Sequence, residues 1–450
     1  MFRSLLVTLF MVISGNALVQ ISTNSPYSSR GIGDVGFYGN AYISGLGGAS
    51  TALTDSSQTN LFNPSTYSLV AKQLPLFSIG VSHFEKTFSN NGLTSKGRFT
   101  SITHMSLVVP FAKRLGIAAG LKPLSRTGYE INDHELIGGD SIFYTYKGDG
   151  GIQEFLLGFS GNILDRRNQS LSIGVNGKYY FGKVNNERRT FKVANGIETG
   201  GMDIKSIRAR DFGLEFGLNY DYRPNLAHSI RFGGVFRPGK NLSFEKSQDR
   251  IYYGNYYSKP SYDTLINLDG VRGEVYLPTK TSFGLTYSFT PQNDSMSNSS
   301  KLRSFMFTVE YSMEDWSNYE EKFELGSTTG EYINSNALRM GFEFIPHRIA
   351  VDRSAYINVL DKMSYRLGAY LVNTPYEVNG KQLIDQGLTA GIGIPLVMSR
   401  AVSTISISGS YGVMGETEGL GVIKENYFGF NLGINIAPGY DRWFRKYKLD

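Results

Sequence analysis

Two stretches of this chain have the residue types and spacing for chemistry. "RGIGDVGFYGN" (Arg30 to Asn40) sets Gly31, Gly33 and Gly36 at the G-x-G-x-x-G spacing that cradles a dinucleotide pyrophosphate. That use requires a strand before the glycines and a helix after them, because the free N–H groups of the helix start hold the phosphate. Here the upstream segment "QISTNSPYSS" is polar and broken by proline, and "FYGNAYISGLGGAS" downstream adds glycines without helical periodicity. "THMS" places His104 and Ser106 on one side of an extended segment, as a base and nucleophile of a lipid hydrolase would need. It lacks a third orienting group and an oxyanion donor, and alternation turns both residues away from lipid. His83, His134, His228 and His347 are scattered without metal-ligand spacing, there is no cysteine, and no phosphate-binding loop of the Walker type occurs. The expectation is a non-enzyme without cofactor or metal. A net charge of +6 over 450 residues gives no basic stripe for nucleic acid outside the last dozen residues.

The glycines must therefore serve architecture. The composition, 52 Gly, 29 Tyr and 29 Phe with two Trp, suits strands and turns. "MFRSLLVTLFMVISGNA" has a positive start, a short apolar run and small residues at Gly15 and Ala17, the pattern of a secretory signal peptide over residues 1–17. Beyond Leu74 two-residue alternation recurs. In "DFGLEFGLNYDY", Phe212, Leu214, Phe216, Leu218, Tyr220 and Tyr222 oppose Asp211, Gly213, Glu215, Gly217, Asn219 and Asp221, and "YFGFNLGINI" repeats the design. The polar face is Gly, Ser and Asn with isolated charges, a crowded wet lumen, while the apolar face is long enough for the lipid band of an outer-membrane barrel.

Such segments fall near residues 76 to 84, 99 to 109, 115 to 124, 152 to 160, 171 to 182, 211 to 222, 229 to 237, 281 to 289, 303 to 312, 336 to 344, 363 to 372, 387 to 396, 402 to 411 and 426 to 436. The predicted fold is all-β, a transmembrane antiparallel barrel of about fourteen strands. The second and thirteenth segments are weakly patterned, which leaves twelve or sixteen strands open. The long polar stretches Ser125 to Gly151, Lys183 to Arg210, Lys240 to Thr279 and Glu314 to Ser335 read as outer loops. The alternation directs Lys178, Glu215, Arg231, Glu310, Arg339, Glu343 and Arg366 into the lumen, either as anchors for a plug or as a station for a ligand carboxylate. A lumen this wide needs a filler, and residues 18–74 are the candidate hatch, ahead of a barrel over 75–437. The tail 438–450, "PGYDRWFRKYKLD", is basic and aromatic, suited to periplasmic headgroups or a partner.

The order "SSRGIGDVG", "GLGGASTAL" with Gly45, Gly47 and Gly48, and "NPSTYS", followed by the barrel strands, resembles the FadL-type family of outer-membrane hydrophobic-compound transporters, with particular similarity to members from Bacteroidetes-type bacteria. The resemblance implies a fourteen-stranded barrel with an N-terminal hatch whose Asn63, Pro64 and Ser65 reach toward a kink in the third strand. Ser65 stands where the family has alanine. Gly116, Gly120 and Pro123 of that strand are the candidates for a lateral opening, since a proline cannot donate to the ladder; the alternative is that Pro123 only ends the strand. Gly31, Gly33 and Gly36 would let the hatch turn tightly against the wall. The function implied is passage of small, fatty-acid-like hydrophobic compounds across the bacterial outer membrane, with membrane lipid and the ligand as partners. The rival reading is a non-transporting barrel that binds a protein partner in a secretion or assembly machine.

Overall fold

The computed structural model describes residues 25–36, 39–70, 75–112, 114–258, 261–291, 303–324, 326–330, 332–347, 359–398, 401–415 and 422–437. The expected signal peptide over residues 1–17, residues 18–24, 37–38 and 71–74 of the expected hatch, and the expected tail over 438–450 lie outside them.

Fourteen antiparallel strands close the barrel. They are β1 (Leu76–Asn90), β2 (Leu93–Pro110), β3 (Leu115–Pro123), β5 (Asp140–Asp165), β6 (Gln169–Ala194), β7 (Ile197–Tyr222), β8 (His228–Arg237), β11 (Lys280–Phe289), β12 (Ser304–Glu314), β15 (Ser335–Ile345), β16 (Ser364–Val378), β17 (Lys381–Met398), β18 (Ala401–Met414) and β19 (Lys424–Ile436). The seam pairs β1 with β19 from Phe77↔Ile436 to Ser89↔Lys424. Each of the fourteen alternating segments of the sequence is one of these strands. In β6 the alternation is unbroken: Ser172, Asn176, Lys178 and Tyr180 are buried inside, while Ile173 faces out. Tyr180 and Gly177 are thus an inward tyrosine and an outward glycine, not faults in the phase.

The polar stretches expected as outer loops are largely strand. β4 (Thr127–Ile137), β9 (Lys240–Tyr253), β10 (Tyr262–Leu277), β13 (Glu320–Phe323) and β14 (Gly326–Thr329) join the upper halves of β5, β6 and β7 in a ladder that stands beyond the barrel rim. Polar residues misled the loop reading because the upper part of this sheet is polar on both faces, and the buried inner face formed by Leu242, Phe244, Val275, Leu277 and Phe323 is confined to its base, too short to mark the strand period. At its base Gly150, Gly151 and Gly182 have φ of 100°, 145° and 135°. A Cβ on Gly182 would sit 2.3 Å from the Gly151 carbonyl oxygen, so the sheet bends where it leaves the barrel only because these positions lack side chains.

The hatch fills the lumen. Its short helical turns, Pro26–Ser29, Ala41–Ser44 and Pro64–Leu69, are capped by the side chains of Ser25, Asn40 and Asn63 respectively. Its backbone lies directly on glycines of the wall. A Cβ on Gly174 would fall 2.4 Å from the Pro64 carbonyl, one on Gly217 would fall 2.2 Å from Asn63 Oδ1, and one on Gly368 would fall 2.1 Å from the Gly47 amide nitrogen. Replacing Gly174 by valine should therefore unseat the hatch while the outer wall stays intact. We expect a loss of about 1–3 kcal/mol of stability and faster hydrogen exchange at residues 60–68, with the heat-resistant gel migration of a closed barrel retained.

Candidate functional site: the hatch, the chamber and the third-strand gap

Two layers of hatch bracket an internal chamber. The lower layer, residues 39–70, lies in the half of the barrel nearer the β1 start and the β19 end. Ser50 and Thr51 donate their backbone N–H groups to Glu310 Oε2 at 2.7 and 2.8 Å, and the Gly47 N–H donates to Thr389 Oγ1 at 3.0 Å. Asn63 donates to the Thr51 carbonyl at 2.6 Å and accepts from the Ser65 N–H at 3.0 Å, and Ser160 donates to the Ser65 carbonyl at 3.0 Å. Tyr67 donates to Asn176, which in turn donates to Glu215.

The upper layer, residues 25–35, crosses the opposite end. Ser25 bonds Glu425, the Tyr27 hydroxyl exchanges hydrogen bonds with the backbone of Ile423, and Arg30 donates to the Glu377 carbonyl at 3.1 Å. Gly31 and Gly33 have φ of 50° and 95°, and a Cβ on Gly31 would meet the hydroxyls of Tyr332 and Tyr319 at 2.6 and 2.7 Å. Trp316, Tyr319, Tyr332 and Tyr376 pack with Tyr27 over this layer. Burial holds the Tyr319 and Tyr332 hydroxyls well above their ordinary value, so they remain neutral hydrogen-bonding groups.

The expected lumen charges all face inward. Glu310 caps hatch N–H groups and accepts from Arg339 at 3.4 Å, Arg231 donates to the Thr54 carbonyl at 3.1 Å, and Arg366 pairs with Glu343 at 2.7 Å while lying 4.4 Å from the Tyr42 ring centroid. Lys178 joins Glu215 at 2.7 Å and Glu154 at 3.4 Å, and Lys122 joins Glu154 at 2.7 Å. Sequence reasoning missed Lys86, Lys122, Glu154, Arg237, Lys280, Glu314, Asp385 and Glu425, which also line the chamber. Most lie just beyond an apolar run, where the same alternation continued by a few residues would have turned them inward.

The chamber between the layers has a volume of about 280 Å³. Ion pairs line parts of its wall, Leu61, Phe62, Phe84, Phe99, Pro123 and Leu124 lie on the side of the third strand, and Trp316, Tyr370, Tyr376, Met414 and Tyr427 line it elsewhere. There β2 pairs with β3 only from Met105↔Leu121 to Pro110↔Gly116, while β3 stays fully paired with β5 from Leu115 through Pro123. After Pro123 the chain turns inward: Ser125 donates to the Ile32 carbonyl at 2.6 Å, and Asp34 and Arg126 form an antiparallel bridge. Among the described residues, β2 above Met105 has no ladder partner on this side, and Arg126 spans the gap by donating to the Ile102 carbonyl at 2.8 Å. One expectation needs correction. Asn63, Pro64 and Ser65 do not reach this kink; they sit on β5, β6 and β7, held by the space that Gly174 and Gly217 leave. The third strand is instead met by Leu61 at Gly120 and by Tyr67 at Gly116, and the kink by Ile32 and Asp34.

His104 and Ser106 are buried, as their phase requires, but they do not act on each other. His104 bonds Ser78 at 2.7 Å and Thr103 at 3.0 Å, and Ser106 donates to Thr59 of the hatch at 3.1 Å. Among the described residues no group of His, Asp and Glu side chains could hold a metal ion. The buried quartet of Lys122, Glu154, Lys178 and Glu215 sets a test of its own. Lys178→Met should destabilise the barrel by about 3–5 kcal/mol, because it leaves buried carboxylates without their cation. The double variant Lys178→Met/Glu215→Gln should recover part of that loss in urea unfolding from detergent.

Comparison with known proteins places this geometry. The fold is shared with a Pseudomonas aeruginosa FadL homologue, 12% identical, with a TM-score of 0.55 over 89% of this chain and 98% of that one. It is shared also with the Ralstonia pickettii toluene transporter TbuX, 12% identical, TM-score 0.51 over 93% and 100% of the two chains. The Pseudomonas putida toluene transporter TodX is 12% identical, with a TM-score of 0.50 over 93% and 99%. At these identities the likeness is one of architecture. No curated protein sequence matches the chain. A family model described as BamG matches residues 1–450. With its full length matched, on a barrel of the architecture seen in those transporters, this chain belongs to the BamG family.

Proposed function

We propose that this protein is an outer-membrane barrel that serves as a partner-binding component of an assembly machine, with its lumen held shut by its own N-terminal segment. One observation carries the reading: the hatch closes the lumen at two levels, and its backbone is fixed by wall glycines, by Glu310 and by the terminal strand at Glu425. A through-channel would have to break these contacts together. The family name points to an assembly role, and the sheet beyond the rim offers a broad surface on which a partner can dock. Export through a signal peptide, kinship with Bacteroidetes-type members, and contact of the tail with periplasmic partners belong to the same proposal. Purification of tagged protein from cross-linked native membranes should yield a stoichiometric complex with other envelope proteins. Migration as a lone barrel, at its own mass and without cross-linked adducts, would remove the reading.

A specific observation also favours a second reading, passage of a small hydrophobic, fatty-acid-like compound. The chamber reaches the gap beside β2 on its apolar side, where Phe84 and Phe99 stack at 5.1 Å, and Lys86 and Lys122 stand near enough to meet a carboxylate. An amphiphile would enter with its chain along Phe62, Phe99 and Leu124 and leave sideways past Arg126. This reading expects native mass spectrometry of the gently extracted protein to show a bound species below ~1 kDa, since such a pocket must bury most of its ligand. Phe99→Arg should abolish that species; a chamber that stays empty in wild type counts against transport.

A further inference from the structure

The outward face of β6 and β7 changes character at its upper end. On β7 the lipid-facing column Leu218, Phe216, Leu214 and Phe212 continues upward, on the same face, as Arg210 and Arg208. On β6 the column through Tyr179 and Phe181 continues as Lys183. The register sets Lys183 opposite Arg208, Phe181 opposite Arg210, and Tyr179 opposite Phe212. The row through Lys183 and Arg208 extends across Glu245 of β9 to Arg272 of β10. Lys183, Arg208, Arg210 and Arg272 are all exposed. Of the other carboxylates on this face, Asp149 is engaged by Asn185 at 2.7 Å, and Glu274 of β10 stands opposite Lys322 of β13. Lys240, the remaining cation close by, is already held by Asp211 at 2.8 Å.

This cluster is local. Above the apolar belt elsewhere, outward positions include the uncharged amides Gln153 on β5, Asn336 on β15, Asn373 on β16, Gln386 on β17 and Asn426 on β19, and Glu85 on β1 pairs with Arg98 on β2 at 3.0 Å. Those groups suit a generic membrane surface. Lys183 directly opposite Arg208 is instead an unfavourable cross-strand pair in the isolated protein, and an anion between them relieves it. The cluster stands one to two residues above the aromatic girdle of Tyr179, Phe181 and Phe212, whose rings pack at 4.9 and 5.9 Å. At roughly 3.3 Å per residue that is the height of lipid phosphates above the acyl boundary.

We infer that Lys183, Arg208 and Arg210, assisted by Arg272, form a docking site for the phosphorylated headgroup of a lipid in the outer leaflet, with its acyl chains lying against Phe212, Leu214 and Phe216. Guanidinium forks suit phosphate, and the neighbouring aromatics fix the depth of the headgroup. The inference needs the barrel in a membrane with its β4–β14 sheet outward. It does not depend on whether the protein assembles partners or passes a solute.

The test uses the full chain in nanodiscs of phosphatidylcholine doped with diphosphoryl lipid A, read by native mass spectrometry. Wild type should retain the phosphorylated lipid about tenfold or more over the Lys183→Gln/Arg208→Gln/Arg210→Gln variant. An Arg98→Gln control on β2 should match wild type. Dephosphorylated lipid A should show no preference, and inorganic phosphate at millimolar concentration should not displace the lipid. Equal retention by the triple variant overturns the inference, as does equal retention of dephosphorylated lipid. Complete displacement by inorganic phosphate would also overturn it, by showing a free-anion site in place of a lipid site. Heat-resistant migration of the variant confirms that it folds; should it not, single Arg210→Gln and Arg208→Gln variants are read in the same way.

Discussion

A barrel of fourteen strands encloses more space than its own inward side chains can fill, and the structure is organised around that fact. What fills it is backbone. A segment with little secondary structure carries N–H and C=O groups that must be satisfied away from bulk water. Asn40, Asn60 and Asn63 bond it to itself, and Glu310, Thr389 and Ser160 bond it to the wall. The wall in turn gives up side chains at Gly174, Gly217 and Gly368 so that main chain can lie against main chain. Hatch and wall are therefore complementary at the level of single atoms, and neither sequence is free to vary alone.

The buried ion pairs follow from the same constraint. A charged side chain facing lipid near the midplane is expensive, so charges collect inside, and inside they must find partners. Lys178 does so with Glu154 and Glu215, and Arg366 with Glu343 and the face of Tyr42. The result is a chamber lined in part by paired charges, with its phenylalanine-rich flank where β2 and β3 part. That asymmetry is why the two functional readings differ over the site: closure speaks for a scaffold, and the apolar flank speaks for a small guest.

The barrel was legible in the sequence because lipid on one side and a wet lumen on the other impose a period of two. Phe212 to Leu218 and Phe428 to Ile436 could hardly be read otherwise. The rim sheet was not legible as strand, since successive residues such as Glu187, Arg188 and Arg189 are charged on both faces and leave no apolar period to detect. The position of the hatch was also hidden. Asn63 and Pro64 were expected at the third strand, but their place is decided by which wall positions lack a side chain, and that is a matching of distant segments that no local pattern records. The gap beside β2 was foreshadowed by Pro123, although Pro123 itself stays in the ladder with Gln153 and the departure comes after it.

The first described residues lie at the far end of the barrel from the start of β1. Ser25 lies beside Glu425, at the top of the last strand, and the hatch then descends to the lower rim where β1 begins. The first described residues are thus fastened to the final strand across a sequence separation of 400 residues. The last strand therefore serves two ends at once, closing the seam with β1 along its length and holding Ser25 beside Glu425, so seam and plug share one strand and both rest on the most distant contacts in the chain, the kind that are slowest to form.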